Sequence, residues 1–164
     1  MRAAWPDCRT HDSWQVASED VGSRTRRVAV DFAPYLNFDG NCADAFRFYQ
    51  GVFGGRIEMM QAFGDSPAAG DVPPDWRDKI LHAALVVDGR WIMGSDAPPG
   101  TYKPAEGLWV SISVDSAGEG RKLFDALADG GRVVMPYAGT FWSPGFGMVV
   151  DRFGTPWMIN SQGA

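Results

Sequence analysis

Histidine and cysteine are scarce in this chain, with two of each in 164 residues. His11 and Cys8 fall in the opening stretch, which leaves His82 and Cys42 for everything that follows. Two cysteines in unrelated contexts make no disulfide framework of the secreted kind, so a reducing, cytoplasmic setting is expected. One histidine in the remaining chain also excludes a site built from two imidazoles of a single domain. Long apolar runs are missing too. No membrane span is expected, and the start lacks the basic-then-apolar order of a signal peptide. Nor is there a block of lysine or arginine. With a formal net charge of -5 the chain exerts little pull on nucleic acid or an anionic membrane, and neither is expected as a partner.

What is present is enough apolar sequence for one core, 45% of residues, in a chain long enough to fold without staples. Residues 1–27 mix charge, serine and scattered tryptophan without helical or strand periodicity, and are expected to form a poorly ordered extension. The domain is placed at 28–162. Within it, Cys42, Ala45, Phe46, Tyr49, Val52 and Phe53 recur at the spacing of an amphipathic helix. Asn41 is the expected N-cap, and Gly54-Gly55 ends the helix. The pattern returns at 114–135, with Ser116 and Glu119 as a capping box, Gly120, Leu123, Phe124 and Leu127 as the buried stripe, and Gly130-Gly131 as the stop.

The echo extends beyond the helices. "GGRIEM" and "GGRVVM" open matching strands, and "VVDGRWIMGSD" at 86–96 answers "VVDRFGTPWMINSQ" at 149–162. Adding "FAPYLNF" at 32–38 and "GLWVSISV" at 107–114 gives strand-helix-strand-strand-strand twice, in modules of about 28–98 and 105–162. The predicted class is α+β: two βαβββ modules forming a cupped, open-barrel mixed sheet with helices outside and a ligand cavity on the enclosed side. The first copy carries an insertion at 64–79 whose prolines forbid a regular ladder, and a flap over the cavity is expected there.

This pattern resembles the vicinal oxygen chelate superfamily, the fold of glyoxalase I, extradiol dioxygenases and bleomycin-resistance proteins. "PYLNFDGNCADAFRFYQGVFGG", "IMGSDAPPG" and "TFWSPGFGMVVDRFGTPWMIN" resemble its PhnB-like branch in particular. Branch members often carry the label of a demethylubiquinone methyltransferase. The sequence does not support that activity, having no glycine-rich loop after the first strand of a parallel sheet for S-adenosylmethionine. Metal-using members of the superfamily take His or Gln, Glu, His and Glu from the first, fourth, fifth and eighth strands, and the resemblance places Met158 where the last acid belongs. Matching Trp91 to Trp157 puts Ile92 in the other acid position. The resemblance therefore implies no usual metal site; no cofactor is expected, and a divalent metal would need non-standard ligands.

On strand parity, Tyr35 and Asn37 face the cavity from the first strand, and Trp109, Ser111 and Ser113 from the fifth. His82 is a candidate acid, base or ligand contact, as is Asp96, set on the parity of Ile92; a strand histidine and a turn-capping aspartate are the plainer alternatives. Tyr35, Asn37, His82, Trp109, Tyr137, Phe141, Trp142, Phe146, Met158 and Asn160 are the candidate ligand-binding residues, the aromatics suiting an aromatic or amphipathic molecule. Trp91 and Trp157, on the opposite parity, are assigned to the core, as is Cys42. Three functions follow in order: a metal-free small-molecule-binding protein, an enzyme with a non-standard metal or acid-base site, and a structural or regulatory homodimer. A small molecule and a second copy are the expected partners.

Overall fold

The computed structural model describes residues 31–163; the expected extension at 1–27 lies outside them. The first module runs β1 (Tyr35–Phe38), α1 (Cys42–Phe53), β2 (Arg56–Ala62), β3 (Ile80–Val87) and β4 (Arg90–Asp96). The second repeats the order with β5 (Val110–Val114), α2 (Ala117–Ala128), β6 (Arg132–Ala138), β7 (Phe146–Val150) and β8 (Pro156–Ser161). Each makes a four-stranded mixed sheet, β1-β4-β3-β2 and β5-β8-β7-β6, in which only the pairs β1-β4 and β5-β8 are parallel. The α+β class and the two βαβββ modules are as the sequence predicts. Among the described residues no helix is long and apolar enough to cross a membrane.

The helices form where the periodicity places them. Cys42, Ala45, Phe46 and Tyr49 are the buried stripe of α1, which ends at Gly54 with φ 75°. The start of α1 corrects one expectation. Asn41 makes no side-chain cap; the Asp96 carboxylate, brought in from β4, accepts from the Cys42 amide at 2.9 Å. A carboxylate at a helix start is favoured by the helix dipole as well as by the bond itself. In α2 the capping box forms as read: the Ser116 hydroxyl accepts from the Glu119 amide at 3.2 Å and donates to the Glu119 carboxylate.

Leu36, Phe38, Ala83 and Leu85 face α1, and Gly94 lies so close to Phe46 that an added methyl would sit 2.9 Å from its ring. Val149, Trp157, Ile159 and Tyr137 do the same beneath Phe124 and Leu127. The helix α1 also reaches into the second module. Its Tyr49 hydroxyl donates to Asp151 at 2.7 Å and lies 2.8 Å from the Thr155 hydroxyl, while its ring and that of Phe53 abut Trp157. One continuous core therefore joins the two sheets.

Register corrects the internal alignment. Leu85 pairs with Ile92 in the first module and Val149 with Trp157 in the second. The counterpart of Trp157 is thus Ile92, and that of Met158 is Met93. Trp91 is one step out of phase: it lies on the open face and is 40% exposed, whereas Trp157 is fully buried. A one-residue slip exchanges the faces of a strand.

The insertion is a closed loop of three short 3-10 turns. Phe63 and Val72 are buried within it, and the Lys79 ammonium donates to the Gly40 carbonyl at 2.8 Å. It lines neither of the two cavities described below.

Candidate functional site

Both sheets leave one face uncovered by their own helices. On the first, β1 presents Tyr35 and Asn37, β3 presents His82, and β4 presents Met93 and Ser95. Alternation along each strand compels this, because Leu36, Phe38, Ala83 and Gly94 are taken by the core. The structure brings three candidates together here. The Tyr35 hydroxyl lies 3.2 Å from His82 Nδ1, with the two rings stacked at 5.8 Å between centroids. Ser95 Oγ reaches Asn37 Oδ1 at 3.4 Å.

Asp96 is not part of this group. It is 2% exposed on the helix side, where its carboxylate accepts from the amides of Cys42 at 2.9 Å and Ile80 at 2.7 Å. It ties the start of α1 to the start of β3, and it does not reach the open face. Cys42 beside it is a core residue: burial first, and the Asp96 charge second, push its thiol well above the ordinary range. Such a thiol is inert as a nucleophile.

On the second sheet, Met158 and Asn160 lie on the open face opposite Ser111 and Ser113, and Asn160 pairs with Phe146. Trp142 is stacked edge-on against Phe146 at 5.6 Å and against Phe141 at 4.5 Å. Phe141 is 96% exposed. Their loop is held firmly, since the buried Ser143 hydroxyl donates to the Ser161 carbonyl at 2.7 Å and the Thr140 amide donates to the Ser143 carbonyl at 2.8 Å. Trp109 is half-buried just before β5. Tyr137 is not on this face. At 5% exposure it lies under α2, its hydroxyl 2.5 Å from Ser161 Oγ and 3.2 Å from the Ala117 carbonyl. Its inward turn is forced by Gly120 and Gly145, where an added methyl would overlap the tyrosine ring or hydroxyl.

A feature that the sequence reading missed runs across both open faces. Met59, Ala84, Met93 and Tyr35 are successive cross-strand partners in the first sheet, and Met135, Met148, Met158 and Ser111 are in the second. The thioethers form an apolar, adaptable surface. Met158 stands where resemblance places one metal-binding acid, and its register counterpart is Met93 in place of the expected Ile92. A hard divalent ion requires carboxylate or imidazole donors, and the hydroxyls and thioethers of this row do not fit one. Among the described residues no three His, Cys, Asp or Glu side chains converge, and His82 Nδ1 already faces Tyr35.

Two adjoining cavities lie at the edge of β1, beneath the segment that links the modules. One of about 270 Å³ is walled by Asn37, Ser95, Thr101, Tyr102 and Lys103. The other, about 220 Å³, shares Asn37, Tyr102 and Lys103 and is lined as well by Tyr35, Leu108, Val110, Thr155 and Pro156. Burial, and then the charges of Asp39 and Asp151, raise the Tyr102 phenol above its ordinary value, so it stays a proton donor. The linker residues were absent from the sequence candidates. Their signal was available, since "TYK" is the one place in the linker with an aromatic and a cation.

Comparison with known proteins bears on this architecture. Residues 30–160 match the family model described as 3-demethylubiquinone-9 3-methyltransferase. Protein YjdN of Escherichia coli K12 is 38% identical over 141 residues, which cover 80% of this chain and 95% of that protein. The crystal structure of protein PA1353 from Pseudomonas aeruginosa superposes with a TM-score of 0.77 at 47% identity, covering 83% of this chain and all of that one. The PhnB protein of Bacillus cereus shares the fold at 23% identity and a TM-score of 0.64, over 81% of this chain and 100% of its own.

Proposed function

Since this chain belongs to the family described as 3-demethylubiquinone-9 3-methyltransferase, the PhnB-like branch of the vicinal oxygen chelate superfamily, we propose that it binds an amphipathic small molecule, without a metal, in the cleft beside β1. The observation that carries this reading is the pair of adjoining cavities, in each of which polar and apolar groups meet. A concave site with a few convergent polar groups is the ordinary form of a small-molecule site. Tyr35 and Asn37 contact the ligand from the sheet, and Leu108 and Val110 from the second module. Phe141, Trp142 and Phe146, stacked on one another, line neither cavity, and nor does Trp109.

Methyl transfer is no part of the proposal. A second reading has one observation in its favour. The Tyr35 hydroxyl and His82 imidazole, 3.2 Å apart on the open face, could pass a proton to or from a bound substrate. That reading keeps the same cleft and adds acid-base chemistry to it.

The test uses N-phenyl-1-naphthylamine, a neutral aromatic fluorophore. It is expected to bind equally with and without EDTA. Tyr35→Ala should weaken it by about 1–3 kcal/mol, the scale of a lost aromatic contact, while Trp142→Ala should leave its affinity within about twofold. Binding that requires added divalent metal, or that depends on Trp142 and not Tyr35, would move the site out of the cleft.

A further inference from the structure

Resting on the cleft reading above, we infer that the linker cavity is an anion subsite, in which Lys103 and Asn37 hold the carboxylate or sulfonate of a monoanionic aromatic ligand. The chain as a whole is acidic, with a formal net charge of -5, yet this cavity has an ammonium and no carboxylate in its wall. That ammonium gives an anion a charged partner among neutral donors.

Several cations of the fold are already engaged, and Lys103 is the one that lines these cavities. Arg47, Arg56, Arg121 and Arg152 each pair with a carboxylate, and Lys79 donates to Gly40. Lys103 makes no ion pair among the described residues. Asn37 takes the Ser95 hydroxyl on its Oδ1, which leaves the Asn37 amide hydrogens free to donate. Thr101 is committed in the other sense, donating to the Pro98 carbonyl at 2.7 Å and so fixing the linker's turn. Tyr102, kept protonated by its surroundings, supplies a further donor. Donors from one strand and one linker thus meet in a single cavity, and hydrogen bonds from such groups to an ionised acceptor are the strong ones.

The surroundings also limit the charge. Asp39 and Asp151 are near enough to act on Tyr102, and their field opposes a dianion more than a monoanion. The other cavity, which shares Asn37, Tyr102 and Lys103, receives the aromatic body. Neither cavity alone explains both ends of such a ligand. Together they specify one: a flat apolar part against Tyr35, Leu108 and Val110, and a single negative charge against Lys103.

The experiment compares 8-anilinonaphthalene-1-sulfonate with N-phenyl-1-naphthylamine, which share a ring system and differ in the anion. With the full chain in its cooperatively folded state, the sulfonate should bind roughly 3–10-fold tighter at low salt, the range of a partly exposed charge pair plus a charge-assisted bond. Raising salt should shrink that advantage. Lys103→Gln should abolish it, and Lys103→Arg should keep most of it. Equal affinities in the unmodified protein, or a Lys103→Gln variant that weakens both probes alike, would overturn the anion subsite and leave the cleft intact. Failure of both probes to bind would overturn the cleft reading, and this inference with it.

Discussion

Removing one oxygen from the buried joint between the modules should have a measurable cost. The Tyr49 hydroxyl donates to Asp151 Oδ2 at 2.7 Å and lies 2.8 Å from Thr155 Oγ1, and the residue is fully buried. Burial first, and the Asp151 charge second, push the Tyr49 phenol far above its ordinary value, which keeps it protonated and donating. Tyr49→Phe retains the ring, and with it the contacts to Trp157 and Phe46, so the loss is one charge-assisted bond and one neutral partner. Bonds to charged groups contribute about 1.5–3 kcal/mol, and a buried acceptor left short by one donor takes the change to the upper half of that range. For a domain of this size about 2–3 kcal/mol lowers Tm by roughly 6–12 °C. The assay is urea unfolding followed by tryptophan fluorescence, with an unchanged m-value as the sign that only stability has moved. A double-mutant cycle with Asp151→Asn isolates the bond, since the asparagine amide would confront Trp157 Nε1, which now donates to Asp151 at 2.8 Å. Coupling of about 0.5–3 kcal/mol is expected for groups in one network. A loss below about 0.5 kcal/mol, or full additivity, would refute the reasoning. It would mean that the Phe153 and Thr155 amides and Trp157, the other donors to this carboxylate, hold the joint without Tyr49.

Two further outcomes are expected. Because the folded Cys42 thiol is raised above its unfolded value, its contribution is fully present below about pH 8.5 and is lost as pH rises through the alkaline range, where the unfolded thiol ionises. Between pH 8 and pH 10, Cys42→Ala should therefore lose less stability than the unmodified protein, by up to about 2 kcal/mol in urea midpoints, and parallel losses would contradict it. Replacing residues 64–79 with a short Gly-Ser link should lower Tm, because Val72 and the Lys79 bond to Gly40 go with it, while N-phenyl-1-naphthylamine affinity holds; the opposite pattern in the two measurements would favour a flap.

The element order, both helices, the glycine stops and the capping box at Ser116 were all legible, because each rests on local periodicity or on residues a few positions apart. So was the facing of Tyr35, Asn37, Met158 and Asn160, which follows from two-residue alternation within a strand. The facing of Asp96 and Tyr137 was not. Asp96 stands on β4, yet its partners are the amides of Cys42 and Ile80, far away in sequence, and no pattern announces a cap supplied from another element. Tyr137 points inward because Gly120 and Gly145 make room for it. That is a fact about three segments at once.

The register between copies shows the same limit most sharply, and it bears on function. Identity aligns Val-Val-Asp with Val-Val-Asp and Trp91 with Trp157, but the two turns differ in length. Asp88 and Gly89, both at positive φ, make a tight hairpin in the first copy, whereas Asp151 accepts from the amides of Phe153 and Thr155 and closes a longer turn in the second. Two residues separate Asp88 from Trp91 and five separate Asp151 from Trp157; with Leu85 and Val149 as counterparts, Trp157 takes the core place of Ile92 beside Tyr49 and Trp91 is left on the open face. Two consequences follow from the longer turn. The longer turn supplies the carboxylate that binds the modules together, a role its counterpart Asp88 does not fill. It also places Thr155 and Pro156 against the cleft beside β1, where the short hairpin has no equivalent.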